Sequence, residues 1–383
     1  MKITRYLVPV LIIVISSGLL SLNCCGQRPD LGIDDLNADL TELLQGTDVP
    51  AVAAAVIVKG KIKGAGAAGV RKAGDPTAVT LNDKFHIGSC TKSMTATLAA
   101  ILVEEKRLDW DTKVSDVFKD IEIHPEAQDV TLLQLLSHNA GCPRIVGGSQ
   151  LWNGFVQSTD PGKVQRYDLA RAKLAMKPEF PPGTGYAYSN TGFVVAGAMM
   201  ELTEGKPWED LLKEKVFEPL GMSTAGFGAP PSSLEGPPDQ PWGHAPAPVP
   251  PTPRGDNPAA IGPAGTVHCS ILDWARYAQF HLGIDRKRLL KKARSLTMLH
   301  TVQNPKGSYG LGWQISNHPN AGLVLSHGGT NGKWQSKIWI APDKKFAIVV
   351  ACNSGSGKAA ALCNDVINRF GTKYGILPEK KAP

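Results

Sequence analysis

Ser89, Cys90, Thr91 and Lys92 stand in a row that can make a nucleophile with its own base. Three residues is just under one helical turn, so the Ser89 hydroxyl and the Lys92 amine project from one face and can share a proton. A serine hydroxyl attacks poorly at neutral pH unless a neighbour removes its proton, and a lysine can do so once desolvation or adjacent positive charge lowers its pKa. The spacing alone is weak evidence, because a chain this rich in serine and lysine should show it about once by chance. The flanks strengthen it. Asp83 to Gly88 reads as a short extended approach ending in glycine, and Met94, Leu98, Leu102 and Val103 follow at helical spacing. Ser89 is therefore expected at a helix N-terminus, where free N–H groups and the positive dipole end stabilise charge on an attacked carbonyl oxygen.

Two other segments offer partners. Pro181 to Asn190 is a turn-rich loop leading into the apolar run Phe193 to Met200. Tyr188 and Asn190, two residues apart, point the same way if that loop is extended. A phenol beside an ammonium can be held as phenolate and exchange protons, while an amide can hydrogen-bond a substrate amide. Near the C-terminus, Leu323 to Thr330 is an apolar strand that ends in glycines, which let substrate approach the backbone closely. Its edge is a source for a second oxyanion N–H.

Taken in order, Ser89-x-x-Lys92, Tyr188-x-Asn190 and His327-Gly328-Gly329 resemble the serine beta-lactamase and penicillin-binding protein superfamily. The branch is the class C-like one, with DD-peptidase, D-aminopeptidase and carboxylesterase relatives. The resemblance runs from about Leu36 to Phe370 and includes Thr131 to Gly141, Phe217 to Met222, Pro263 to Val267 and Asp273-Trp274-Ala275. It implies an α+β fold: a central antiparallel sheet flanked by helices, plus a mainly helical subdomain. It further implies that Ser89 is acylated, that Lys92 and Tyr188 share proton transfer, and that Asn190 orients substrate and the Lys92 amine. The backbone N–H groups of Ser89 and Thr330 would form the oxyanion hole, with His327, Gly328, Gly329 and Thr330 along the substrate. One position departs from the lactamase pattern. Where Lys-Thr-Gly is usual, this chain has His327, a group mostly neutral at pH 7, which weakens the case for holding an antibiotic carboxylate. The class A signature is also missing.

Composition fits such an enzyme. The 383 residues are 42% hydrophobic and 20% charged, enough for a large core and unlike a disordered or fibrous chain. The net charge of +7 falls to about +5 when Lys2 and Arg5 leave with a leader. The basic run Arg286 to Arg294 reads as a solvated helix face, and no recognition motif accompanies it, so nucleic acid is not an expected partner. Lys2 and Arg5 precede an apolar stretch, Leu7 to Leu22, so residues 1–25 are expected to be an export signal or lipoprotein leader. The same stretch retained would be a membrane anchor. Cys24 and Cys25 are the candidates for lipid attachment, although neither has the usual leucine-plus-small-residue lead-in. The expected location is periplasmic or at the cell envelope.

The remaining five cysteines cannot all pair internally, and their spacing is not that of a metal site. Cys90 reads as a small buried residue behind the nucleophile, and Cys352 with Cys363 is the one pair considered for a bridge. Residues 34–375 are expected to form the domain, with sheet regions 34–85 and 305–375, strands over Ala51 to Val58, Gly310 to Ser316 and Phe346 to Cys352 among them, around a helical region 86–300. Its odd stretch, 229–265, is crowded with proline and glycine and reads equally as a stiff surface loop or a lid. Within it, Trp242-Gly243-His244 resembles a family segment that approaches the active site. The nine histidines form no metal motif, His138 reads as a helix-end hydrogen bonder, and no cofactor is called for. The leading expectation is an exported serine hydrolase acting on an ester or a D-amino-acid amide or peptide, with cell-wall fragments among the candidate substrates. The alternatives are a class C-like beta-lactamase and a penicillin-binding or cell-wall-fragment sensor without turnover.

Overall fold

The computed structural model describes residues 32–304 and 306–379. The expected leader, with Cys24 and Cys25, lies outside the described residues. From Ile33 onward the chain forms one unit. Its strands in chain order are β1 (Asp34–Asp35), β2 (Ala51–Val58), β3 (Lys61–Gly69), β4 (Lys84–His86), β5 (Gly226–Phe227), β6 (Gly243–His244), β7 (Pro248–Val249), β8 (Val267–Ser270), β9 (Gln314–His318), β10 (Gly322–Thr330), β11 (Gln335–Ala341) and β12 (Phe346–Cys352).

Seven strands make the main sheet in the order β1-β3-β2-β12-β11-β10-β9. All its pairings are antiparallel except the two-residue contact of β1 with β3. Both ends of the chain thus meet in one sheet, where β2 lies beside β12. The period-two rule explains why β2 is almost wholly apolar. Ala51, Ala53, Ala55 and Ile57 enter the large core beneath the helical region. Val52, Ala54 and Val56 enter a second core under the Asn37–Leu44 and Gly357–Lys373 helices. The latter helix is amphipathic in the expected way: Leu362, Cys363, Val366, Ile367 and Phe370 face the sheet, and the Ser356 hydroxyl caps its start by accepting from Ala359 N–H.

The α+β architecture matches the expected one, with a local difference before β9. A strand was expected over Gly310 to Ser316, but β9 begins at Gln314. Gly312 has φ +77 and lies so close to the Ser93 backbone that a Cβ would collide, so the chain turns there. The 229–265 stretch is tied down rather than free. Arg71 donates to Pro238 O, Lys84 N–H to Gln240 Oε1, and Trp242 N–H to Arg71 O. His244 accepts from Ala73 N–H at 3.0 Å and donates to Asn353 O at 2.6 Å. The Trp242-Gly243-His244 segment therefore clamps the β10–β11 turn and the end of β12, and the part of the loop that reaches Ser89's neighbourhood is Asp256 to Gly265.

One buried ion cluster fixes the helix that starts at Asn190. Arg166, wholly buried, pairs with Glu201 of that helix and with Glu209, and also donates to Ala259 O at 2.9 Å. It joins the Asn190–Glu204 helix to the segment leading into Ala264. Replacing Arg166 by Met leaves Glu201 buried without its cation, a change expected to cost about 3–5 kcal/mol. Urea denaturation of the Arg166→Met variant checks this, and a loss below about 1 kcal/mol would contradict it.

Candidate active site

Ser89 lies in a single 3-10 turn, Gly88–Cys90, between β4 and the Thr91–Glu104 helix. Gly88 has φ +50, and a Cβ there would collide with the Thr330 nitrogen, so only glycine lets the turn lie against β10. Cys90 points the other way, buried, with its thiol toward His327 O and Ser336 Oγ. Burial pushes that thiol up to about 12, which keeps it an inert packing group.

Lys92 is fully buried, one turn beyond Ser89. Its Nζ lies 2.8 Å from Asn190 Oδ1, 2.8 Å from Ala264 O and 3.1 Å from Ser89 Oγ. The first two neighbours can only accept. A neutral amine has two N–H bonds and one lone pair, so donating to both leaves the lone pair facing the Ser89 hydroxyl. Burial pushes the Lys92 pKa down to about 7, against a small opposing contribution from Cys90.

The Tyr188 side chain stands next to Ser89, and its ring centroid lies 4.8 Å from Lys92 Nζ. The residue is 38% exposed, and its ring stands in the groove wall. Burial raises its pKa, so Tyr188 rests as a phenol and not as the phenolate that proximity to an ammonium suggested. Asn190 opens its helix. Its Oδ1 accepts from Lys92, which leaves its NH2 free of that contact.

His327 has both ring nitrogens engaged. Nδ1 faces Gly328 O at 2.7 Å and therefore carries the proton, which leaves Nε2 to accept from the Tyr309 hydroxyl at 2.8 Å. Burial, aided by the nearby Lys92 charge, lowers its pKa to about 4. The ring is neutral and offers the groove no cation. Beyond it, Gly329 packs so tightly on Ile87 O that no side chain fits. β9 pairs with β10 only as far as Ser326, so His327 to Thr330 keeps β11 on one side and an open edge on the other. A groove of about 360 Å³ runs along that edge, lined by Tyr186, Tyr188, Tyr309, His327, Gly328 and Lys337 among others. His138, at φ +59, accepts from Ser189 N–H and stacks 4.4 Å from the Tyr188 ring, bracing the loop between Tyr188 and Asn190.

Of the eight residues singled out from sequence, Lys92 joins Ser89 and Asn190 through its amine, Tyr188, His327 and Gly328 line the groove, and Gly329 and Thr330 continue the same strand. Two contributors were not anticipated as parts of the site: the Ala264 carbonyl on Lys92, and Tyr309 on His327. Ala264 does lie in the Pro263 to Val267 stretch that carried part of the resemblance, but a backbone acceptor leaves no mark of its own in a sequence. Among the described residues, no group of three His, Cys, Asp or Glu side chains converges as a metal site.

Comparison with known proteins agrees with this geometry. The family model described as Beta-lactamase matches residues 36–371. A penicillin-binding protein 4 of Amycolatopsis lactamdurans is 29% identical, over 88% of this chain and 89% of that protein. An unguisins hydrolase of Aspergillus campestris is 26% identical over 80% of this chain, which spans only 59% of that protein's length. In fold, the chain is similar to a beta-lactamase/D-alanine carboxypeptidase from Yersinia pestis, with TM-score 0.69 and 20% identity, over 88% of this chain and 98% of that one. With the family match spanning nearly the whole described unit and the fold agreeing, the chain belongs to the Beta-lactamase family.

Proposed function

We propose that this chain is a serine hydrolase that forms an acyl-enzyme at Ser89 on an ester or a D-amino-acid amide or peptide. The observation that carries the reading is the Lys92 amine, whose two N–H bonds are taken by Asn190 Oδ1 and Ala264 O so that its lone pair faces Ser89 Oγ. As Ser89 Oγ bonds to the acyl carbon, its proton passes to Lys92. Charge on the carbonyl oxygen meets the N–H groups of Ser89 and Thr330. The Tyr188 phenol gives its proton to the departing alcohol or amine and regains one from Lys92. Water then attacks the acyl ester and releases Ser89.

The Asn190 NH2 and the open edge of β10 supply hydrogen bonds for an amide-bearing substrate, while the tyrosine wall suits an apolar acyl group. The neutral, internally bonded His327 speaks against a beta-lactamase that grips a carboxylate through a cation at that position. Export is proposed on the sequence of residues 1–25, with cell fractionation and the mass of the mature N-terminus as its test.

The experiment is intact-protein mass against time after mixing with a penicillin, with p-nitrophenyl acetate and D-alanine p-nitroanilide run in parallel, beside Ser89→Ala. Ser89-dependent release of p-nitrophenol or p-nitroaniline supports the reading. A short-lived penicillin adduct with catalytic loss of the drug replaces it by a lactamase. A lasting adduct without turnover of any of the three compounds replaces it by a sensor.

A further inference from the structure

Behind the nucleophile turn lies a buried acid–imidazole pair that the acylation chemistry leaves unused. His86, wholly buried at the end of β4, accepts from Gly88 N–H at its Nδ1, 3.0 Å away. That bond puts the ring proton on Nε2, which faces the Asp256 carboxylate at 3.1 Å. Asp256, 6% exposed, also accepts from Asn331 Nδ2 through its other oxygen, at 2.6 Å. The Asn331 carbonyl in turn accepts from Lys333 N–H and Trp334 N–H, each at 3.1 Å, and so closes the β10–β11 turn next to Thr330. Burial alone would raise the Asp256 pKa, but the His86 ring and Asn331 outweigh it, and the carboxylate is held below its usual range.

One carboxylate is therefore bonded toward both halves of the oxyanion hole. Through His86 it reaches the Gly88 peptide, whose next N–H belongs to Ser89. Through Asn331 it reaches the residue after Thr330. The two halves come from segments over 240 residues apart in the chain, and Gly88 sits at φ +50, where nothing intrinsic to glycine selects one conformation. The geometry points to Asp256 as a positioning residue that, with His86 and Asn331, sets the separation of the Ser89 and Thr330 N–H donors. This rests on Ser89 acting as the nucleophile. Neither residue touches substrate, so the effect should appear on the tetrahedral step and leave ground-state binding largely alone.

The test uses the purified chain and two probes. A fluorophosphonate labels an activated serine and places its P–O oxygen in the oxyanion hole, and phenylboronic acid forms a reversible tetrahedral adduct in the same place. Asp256→Asn should slow Ser89 labelling about 10- to 100-fold and weaken the boronate by a similar factor, with KM for p-nitrophenyl acetate within about twofold. His86→Ala should behave alike. His86→Asn, whose Oδ1 can still accept from Gly88 N–H but which presents no Nε2–H to Asp256, should lose labelling as Asp256→Asn does. This loss is informative even if Asp256→Asn fails to fold, and a merely structural role would not confine it to the tetrahedral step at matched thermal stability. Folded variants that label at the wild-type rate, His86→Asn included, overturn the positioning role while the hydrolase reading stands. Absence of labelling in the wild type overturns both.

Discussion

Ser89→Ala is expected to lower turnover of any substrate of this protein by about 10⁴- to 10⁶-fold, and to abolish every covalent adduct in the intact mass. The hydroxyl is the atom beside which the proposed base stands: Lys92 Nζ lies 3.1 Å from it, and the Tyr188 side chain is next to it. Among the described residues, the thiol beside it in the same turn does not stand ready to replace it. Cys90 is the nearest candidate by sequence, yet its thiol points into the protein toward His327 O and is held protonated by burial. The fold should be almost indifferent to the change. Ser89 is only half-buried, and its side chain caps no helix. A stability change within about 1 kcal/mol, by urea denaturation, is the expected companion to the lost activity. Residual turnover within 100-fold of wild type would remove Ser89 from its assigned role.

The parts of this site that could be read from sequence are those set by local geometry. Ser89 and Lys92 share a helical turn, and Tyr188 and Asn190 flank the entry to a helix, so each pair carries its spacing in the chain. The unbroken apolar runs of β2 and β12 likewise mark strands covered on both faces, and their bounds match the expected ones. What could not be read depends on contacts across the fold. Ala264 O meets Lys92 from 172 residues away, and Asp256 meets His86 from 170. The resting state of Tyr188 stays open in the sequence for a related reason. Proximity to an amine favours a phenolate, but burial penalises the charge more, and burial is a property of the assembled groove. The strand expected from Gly310 failed because Gly312 must pass the Ser93 backbone, a contact with no local signal. The proline-rich loop was undecidable for want of its anchors, and these turned out to be carbonyls and side chains of distant segments.

The second large effect concerns Lys92, where charge and activity are opposed. Lys92→Met keeps much of the volume but has no lone pair for the Ser89 proton, and acylation should fall about 10²- to 10⁴-fold. Lys92→Arg should be no better, because a guanidinium stays protonated and cannot act as a base. In the wild type the pKa near 7 makes a sharper statement. The active form is the neutral amine, so single-turnover acylation should be flat above pH 7. Below it the rate should fall about tenfold per unit, to about one-hundredth at pH 5. Among the described site residues nothing else explains an inflection there: His327 is pushed to about 4, His138 lies well below its ordinary 6.5, and Cys90 lies near 12. The same group sets a slope in stability. The folded lysine releases its proton near pH 7, whereas the unfolded chain holds it to about 10.5, so between these values the unfolded state binds more protons. Wild-type stability should therefore rise with pH across that window, its Lys92 contribution being least favourable below pH 7, and Lys92→Met should lack that part of the rise. A flat acylation profile from pH 5 to 9, or identical stability slopes in wild type and Lys92→Met, would show that the amine is charged in the resting enzyme and that the base must be sought elsewhere.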